Sequence, residues 1–506
     1  MTVPDEHPVI VGVGQHTWRE VDTARSPVDA LAEACASALA DTGSASVAQA
    51  VDALAVVRFI ADTTPGAGAL FPRDPGALVA DRLGLGDAQR YLGAIGGNSP
   101  QYLVNRFAQM LSAGEHSVVL LTGAELMATF FSALRSGGDL SAWAGEPAQE
   151  PPTLGEQRDG LNESEQRHGL YEPINTYPLF ENSLRHHLGH GLQEHSAHIA
   201  EISSRMSAVA ARNPLAWRPQ ARSAQDIGTV ARNNRYIGFP YTRAMNAVLE
   251  VDMAAAVVLT TAGRARALGI DQARWIYLRG GADVNDIWYP SERDNLHSSP
   301  AIGLAWRALS AAAGLDLDDL THFDIYSCFP SAVQVACREI GLSPLDSREV
   351  TVTGGLPYFG GPGNNYSLHA IAQMVERLRG AGHGNGLVTA NGYYLTKHSL
   401  GLYSTAPGAA LPQSPDSRAL QAQVDAGPRV NLAADASGEV TVETYTVGFD
   451  REGPKQGIFV ARNAAGERVL ANAPPGSAAL QQLVDHDPIG QRGRVRVDGD
   501  RNVLEL

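Results

Sequence analysis

Short apolar, β-branched runs alternate with amphipathic stretches along most of this chain, and that alternation confines it to a layered α/β fold. PVIVGVG (residues 8–14) reads as a buried strand. Ser26 to Ala40 reads as a helix with Val28, Leu31, Cys35 and Leu39 at helical spacing, and Ser26-Pro27 supplies its cap and first turn. VDALAVVRFI (51–60) is a second strand. Residues 100–114 form a helix with Leu103, Phe107 and Leu111 on one face, closed by Gly114, and HSVVLLTGAE is a strand that runs into a glycine turn. Regular texture returns with VLEVDMAAAVVLTT (248–261) and AGRARALG. Then RWIYLRGGADV, SPAIGLAWRALSAAAGL, HFDIYSCF and SAVQVACREIGL alternate strand and helix. A glycine-rich loop (349–363), a helix (366–379) and the strand and turn GLVTANGYYLTKH follow. The second half thus echoes the first in element order, which points to internal duplication.

Two stretches break the rhythm. Residues 125–245 hold Pro/Glu-rich loops and the histidines His186, His187, His190, His195 and His198, and read as an insertion over the sheet. These histidines lack a metal-ligand spacing such as HExxH and are expected on a solvated helix face, so no metal is predicted. After residue 406 a Pro/Gly/Ser linker leads into alternating strands with Gly/Asn/Asp turns, a small antiparallel barrel or OB-like unit. At 506 residues the chain exceeds one core. The expected organisation is an N-terminal half (1–270, with 125–245 inserted), a C-terminal half (271–405), a linker (406–418) and a β domain (419–506).

Composition excludes several classes. Lys and Arg number 39 against 54 Asp and Glu, a net charge of −15 that disfavours nucleic acid as a partner. Lys397 and Lys455 are the two lysines. Cys35, Cys328 and Cys337 are too few for a disulfide scaffold, and no CxxC pair suggests zinc. The GG pairs at 96–97, 354–355 and 360–361 do not make a dinucleotide fingerprint. No signal peptide and no membrane-length apolar run is read, so a cytoplasmic protein without membrane attachment is expected.

The segment GGNSPQYLVNRFAQMLSAGEHSVVLLTGAELM resembles the part of thiolases that carries the nucleophilic cysteine. DMAAAVVLTTAGRARALG resembles the end of the thiolase N-terminal half. DIYSCFPSAV sits where thiolases have NEAF, TGGLPYFGGPGNN resembles the GGAIALGHPLGAS loop, and NGYYLTKH takes the place of the last cysteine loop. The chain is therefore identified as a member of the thiolase superfamily, similar to its type-1 thiolase-like, acetyl-CoA acetyltransferase-like subgroup, which carries an extra C-terminal domain. The resemblance implies an α/β thiolase fold: two duplicated α/β/α halves in five layers, with a loop-domain insertion and an OB-like β domain. It implies coenzyme A or an acyl-CoA as ligand, no tightly bound cofactor, a role in lipid metabolism, and a monomer or homodimer.

The departures from the family pattern fall on the reacting groups. The nucleophile position is Gly97, the GHP histidine position Gly361, and Ala390 lies near the second cysteine. Glycine has neither lone pair nor proton to offer, so acyl transfer through cysteine is not expected. Tyr326 matches the tyrosine proposed as acid/base in thiolase-like retro-aldolases. His398, beside Lys397 and Asn391, falls in the loop nearest the expected thioester pocket. Cys328 and Ser99 are further candidates for chemistry; as purely structural residues they would be a small core cysteine and a helix cap, and His398 a surface histidine on a strand end. Gly97, Asn98, Gly361, Asn364, Asn391 and Lys397 are expected to line the thioester site. Three functions follow: a CoA-thioester-binding protein without the Cys/His/Cys groups, a retro-aldolase on a β-hydroxyacyl-CoA, or a non-catalytic acyl-CoA-binding module.

Overall fold

The computed structural model describes residues 3–62, 67–145, 148–408, 411–434 and 436–506. Glu146 and Pro147 of the Pro/Glu-rich stretch, and Ala409 and Ala410 of the linker, lie outside these. One ten-stranded sheet runs through both halves. From one edge its order is His322–Asp324, Asn385–Gly392, Lys397–Ser404, Ile276–Asn285, Pro8–Thr17, Asp252–Thr261, Val118–Leu126, Ala53–Val56, Gln89–Gly93 and Thr153–Leu154.

The duplication is visible in the pairing. Ala53–Val56 lies parallel to Val118–Leu126, which is antiparallel to Asp252–Thr261, which is antiparallel to Pro8–Thr17. His322–Asp324, Asn385–Gly392, Lys397–Ser404 and Ile276–Asn285 repeat that order and those directions. The halves join through a short antiparallel contact, Val9 opposite Tyr277 and Ile10 opposite Ile276. Helices Ser99–Ser112 and Tyr366–Ala381 pack on both halves and on each other as the middle layer. Helix Pro27–Asp41 covers the outer face of the first half and Pro300–Ala313 that of the second. Pro27–Asp41 begins at a capping box of Ser26 with Asp29 and carries its apolar stripe inward.

The C-terminal strands close into a barrel. Gly438–Phe449 pairs with both Pro454–Asn463 and Arg492–Asp498, and Arg468–Asn472 runs parallel to Arg501–Glu505. Helix Ser477–Asp485 fills the connection between the third and fourth strands. Closure by a parallel third and fifth strand is the OB-type arrangement. Val440, Val442, Tyr445, Val447 and Phe459 form its core. Strand Tyr236–Gly238 of the insertion extends the same sheet, and helix Pro173–His187 packs between the barrel and helix Pro330–Ile340.

Of the histidine-rich stretch, His186 and His187 stand exposed at the end of helix Pro173–His187, as the sequence suggests, whereas His195, on the next helix Leu192–Ala211, turns inward. His195 is buried, its Nε2 2.6 Å from Glu181 Oε1, and His190 Nδ1 lies 3.2 Å from His195 Nδ1. Glu181 also accepts from Tyr241 and Gln334 at 2.6 and 2.7 Å. The solvated face expected from sequence is in part a packed hydrogen-bonding hub, because a buried carboxylate requires partners.

Candidate active site

The loop leading into helix Ser99–Ser112 is shaped by what surrounds Gly96 and Gly97. Gly96 takes a φ of 139°, a region that disfavours side chains. Its N–H donates to Asn364 Oδ1 at 3.0 Å, and Asn364 Nδ2 donates to the Arg58 carbonyl at 2.8 Å. The Ser367 hydroxyl donates to the Gly97 carbonyl. A Cβ placed on Gly97 would collide with the Tyr326 hydroxyl oxygen and stand 2.6 Å from the Asn391 carbonyl oxygen. The Tyr326 phenol therefore fills the volume that a side chain at residue 97 would need.

Tyr326 is 7% exposed, its N–H donates to Thr389 Oγ1 at 3.0 Å, and its ring meets Tyr366 edge-on at 5.5 Å. Burial, aided by the neighbouring Cys328, holds its hydroxyl well above the usual phenol range, so it is a neutral donor near pH 7. Among the described residues this hydroxyl has no protein hydrogen-bond partner.

Asn391 closes the other side. Its Nδ2 donates to the Tyr177 hydroxyl at 2.8 Å and lies 3.9 Å from Cys328 Sγ, while its Oδ1 is buried without a partner. Tyr177, on helix Pro173–His187, donates in turn to the Tyr393 carbonyl at 2.8 Å. It stiffens a turn in which Tyr393 and Leu395 both take positive φ, 56° and 51°, which costs about 1–3 kcal/mol each and persists only where packing enforces it. Desolvation pushes the Cys328 thiol up to about 12, so it is a thiol rather than a thiolate.

The remaining candidates lie around this centre. The Gly361 N–H donates to the Val248 carbonyl at 2.9 Å, and a Cβ there would press on that oxygen at 3.3 Å. Ala390 is buried on the strand before Asn391. His398 is buried with its Nε2 3.2 Å from Asp286 Oδ2 and 3.3 Å from Ser299 Oγ. A charge-relay base uses its two ring nitrogens for two different partners, whereas here a single nitrogen faces both. Ser299 moreover caps helix Pro300–Ala313 and donates to Asp286. Ser99 is the first residue of its helix, with Asn98 at the cap position, and its buried hydroxyl is unpartnered against Gly93. The Lys397 ammonium donates to the Ile95 and Glu156 carbonyls at 2.7 and 3.1 Å. Gly97, Tyr326, Cys328 and Asn391 thus come together; Asn98 and Lys397 flank them, Asn364 and Gly361 support the loops, and His398 and Ser99 face elsewhere.

Sequence reasoning overlooked Tyr177, which nothing local marks as functional inside the insertion. It also overlooked Arg218, Arg222 and Arg243. The backbone of Trp217 and Arg218 donates to Phe359 and Tyr358 at 2.7 and 3.0 Å, which sets these residues against the glycine-rich loop. Burial first, then the charges of Arg243 and Arg222, lower the pKa of Arg218. No carboxylate pairs with any of the three among the described residues, so their charges are unneutralised.

Residues 419–500 match the family of the thiolase-like protein type 1 additional C-terminal domain. The whole chain superposes on a monomeric SCP2-thiolase like protein type 1 from Mycobacterium smegmatis with a TM-score of 0.86, 35% identity and 100% of both chains covered. This chain belongs to the type-1 thiolase-like proteins. Its core has the five-layered thiolase fold, which extends to the Ltp2-ChsH2(DUF35) aldolase, at 20% identity and TM-score 0.59 over 80% of this chain and 99% of that one. A 3-ketoacyl-CoA thiolase of Salmonella heidelberg (strain SL476) is 30% identical over 198 residues, 35% of this chain and 43% of the thiolase. The match therefore spans less than half the length of that curated relative. Among the described residues no helix is long and apolar enough to cross a membrane.

Proposed function

We propose that this type-1 thiolase-like protein binds a CoA thioester between its two halves and does not acylate itself. The observation that carries the reading is the Tyr326 hydroxyl occupying the side-chain volume of residue 97. Thiol chemistry there lacks both its sulfur and its space. The residues present suit the ligand's two ends. The unneutralised Arg218, Arg222 and Arg243 match the phosphates, while the Tyr326 phenol and the unpartnered Asn391 amide oxygen offer a donor and an acceptor at the thioester end. Calorimetric titration with CoA tests this: binding is expected, and replacing Arg218 and Arg243 by Ala is expected to weaken it about tenfold or more. Intact-mass measurement after incubation with acetyl-CoA is expected to show no adduct, and a stable acyl adduct on any residue overturns the reading.

The neutral, unpartnered phenol favours a second reading, retro-aldol cleavage of a β-hydroxyacyl-CoA. The β-hydroxyl proton passes to solvent as the Cα–Cβ bond breaks, the β-carbon leaves as a carbonyl compound, and the electron pair remains as the thioester enolate. Tyr326, neutral at the outset, donates its proton at Cα and regains one from solvent, so it emerges unchanged. Tyr326→Phe is then expected to cost roughly 10²-fold or more in turnover, while CoA binding without turnover of any β-hydroxyacyl-CoA leaves the protein a binding module. The Mycobacterium relative is described as monomeric, and we propose the same state here, in the cytoplasm.

A further inference from the structure

A cleft of about 980 Å³ opens along helix Ser99–Ser112, roofed by the linker residues from Ser414 to Arg418, and Tyr326, Cys328 and Asn391 do not line it. At its floor Lys397 is only 3% exposed. Two of the three ammonium hydrogens go to the uncharged carbonyls of Ile95 and Glu156. The exposed Glu156 carboxylate attracts the charge from beyond ion-pair distance, and burial lowers the ammonium to about 8. A buried cation without a counter-charge is costly. The Ser99 hydroxyl, 2% exposed and without a partner, lines the same cleft at the positive end of a 14-residue helix. Two more carboxylates line the wall: Asp283 is held by Asn105 at 3.0 Å and raised by burial to about 7, so its charge is only partial near neutral pH, and the exposed Asp416 is engaged as a helix cap by the Arg418 and Ala419 N–H groups at 2.9 and 3.4 Å. Arg106 and Arg418 stand exposed at the rim, outside any ion pair among the described residues.

We propose that this cleft binds the carboxylate of a small organic acid, with the Lys397 ammonium and the Ser99 hydroxyl as inner contacts and Arg106 and Arg418 as rim charges. One free ammonium hydrogen and one hydroxyl suit the two oxygens of a planar monoanion. A phosphate would leave further oxygens without donors. Asn98, Ser99, His398 and Lys397, all candidates for the thioester site by sequence, line this cleft instead, but the groups on which the thioester reading rests, Tyr326, Asn391 and the three arginines, do not, so either can fail alone.

The test titrates the full chain with sodium butyrate, with inorganic phosphate and chloride at matched ionic strength as the other arms. Saturable butyrate binding with a raised Tm is expected, weakened about tenfold or more by Lys397→Met and a few-fold by Arg106→Gln. In the unaltered protein, butyrate is expected to shield Lys397 from acetylation by an activated acetate ester, read by peptide mass spectrometry. No saturation, an equal response to chloride, tighter binding of phosphate, or a Lys397 acetylated equally fast with butyrate present overturns the proposal.

Discussion

The guanidinium of Arg468, on the third barrel strand, donates to the backbone carbonyl of Arg293 at 2.5 Å. The guanidinium of Arg293 in turn donates to the Ile287 and Tyr394 carbonyls at 2.8 and 2.9 Å and to the Thr396 hydroxyl at 2.8 Å. Two buried arginines in series therefore tie the barrel to the turn that follows Asn391. Arg468 also bonds Glu443 at 2.8 Å and the Ser291 carbonyl at 3.0 Å, with 1% of its surface exposed.

Arg468→Met is expected to lower stability by roughly 3 kcal/mol, because it leaves buried carbonyls without donors. Urea unfolding followed by tryptophan fluorescence and by circular dichroism checks this. The two probes should part in the variant, the barrel melting first, and coincident transitions at unchanged midpoint would remove Arg468 as the joint.

Gly97→Cys is expected neither to restore acyl transfer nor to be tolerated. The new Cβ meets the Tyr326 hydroxyl and the Asn391 carbonyl, and such overpacking costs about 1–3 kcal/mol. Tyr326→Ala should cost less stability in the Gly97→Cys chain than in the parent, the difference being the clash with the phenol that it relieves, since the cavity it leaves costs about 3–5 kcal/mol in either background. Thermal melts of the single and double variants measure it. A single variant as stable as the parent contradicts the packing argument.

Much of this architecture is legible from residues alone, because buried strands such as Pro8–Thr17 and Val118–Leu126 carry continuous apolar runs; the glycine turn expected at Gly123 is instead strand, with Gly123 paired opposite Ala255. Helix Tyr366–Ala381 ends within two residues of the position its pattern predicts. The helices Ser417–Asp425 and Ser477–Asp485 escape, since both are short and lie in Pro/Gly/Ser-rich surroundings that read as linker and turn. At the site, the missing sulfur and imidazole are evident in the sequence. The reason no side chain fits at residue 97 is not, because the obstruction comes from Tyr326, more than two hundred positions away. His398 shows the same limit: its strand position is readable, but the single-nitrogen contact with Asp286 and Ser299 exists only once the strands Ile276–Asn285 and Lys397–Ser404 pair.

Glu125 links stability to pH. It is 1% exposed, accepts the Ile60 N–H at 2.8 Å, and burial raises its carboxyl to about 8. The folded state thus holds a proton that the unfolded chain releases near pH 4.5, so the contribution is complete below that value and is lost as pH rises toward 8. Glu125→Gln mimics the protonated form and should gain on the parent across this window, by at most about 1.4 kcal/mol per pH unit. Chemical unfolding of both proteins at pH 5, 6.5 and 8 reads the slope. A difference that does not grow with pH means that Glu125 is already ionised in the folded chain.

Both sheet edges are blunted, which bears on self-association. One edge is the three-residue strand His322–Asp324. At the other, the carbonyls of Pro152 and Leu154 accept from the N–H groups of Leu92 and Ala94 at 3.0 and 2.9 Å, so Gln89–Gly93 is covered by the chain's own insertion. An edge strand whose donors are taken cannot template pairing with a second copy. Light scattering is therefore expected to give a monomer. Replacing Pro152, Thr153 and Leu154 by Gly-Ser-Gly, which loosens the cover through backbone entropy, is expected to raise the apparent mass with protein concentration. A dimer in the unaltered protein, or a variant that stays monomeric while losing protection of the Leu92 and Ala94 amides from hydrogen exchange, would show that something other than this covering strand decides the oligomeric state.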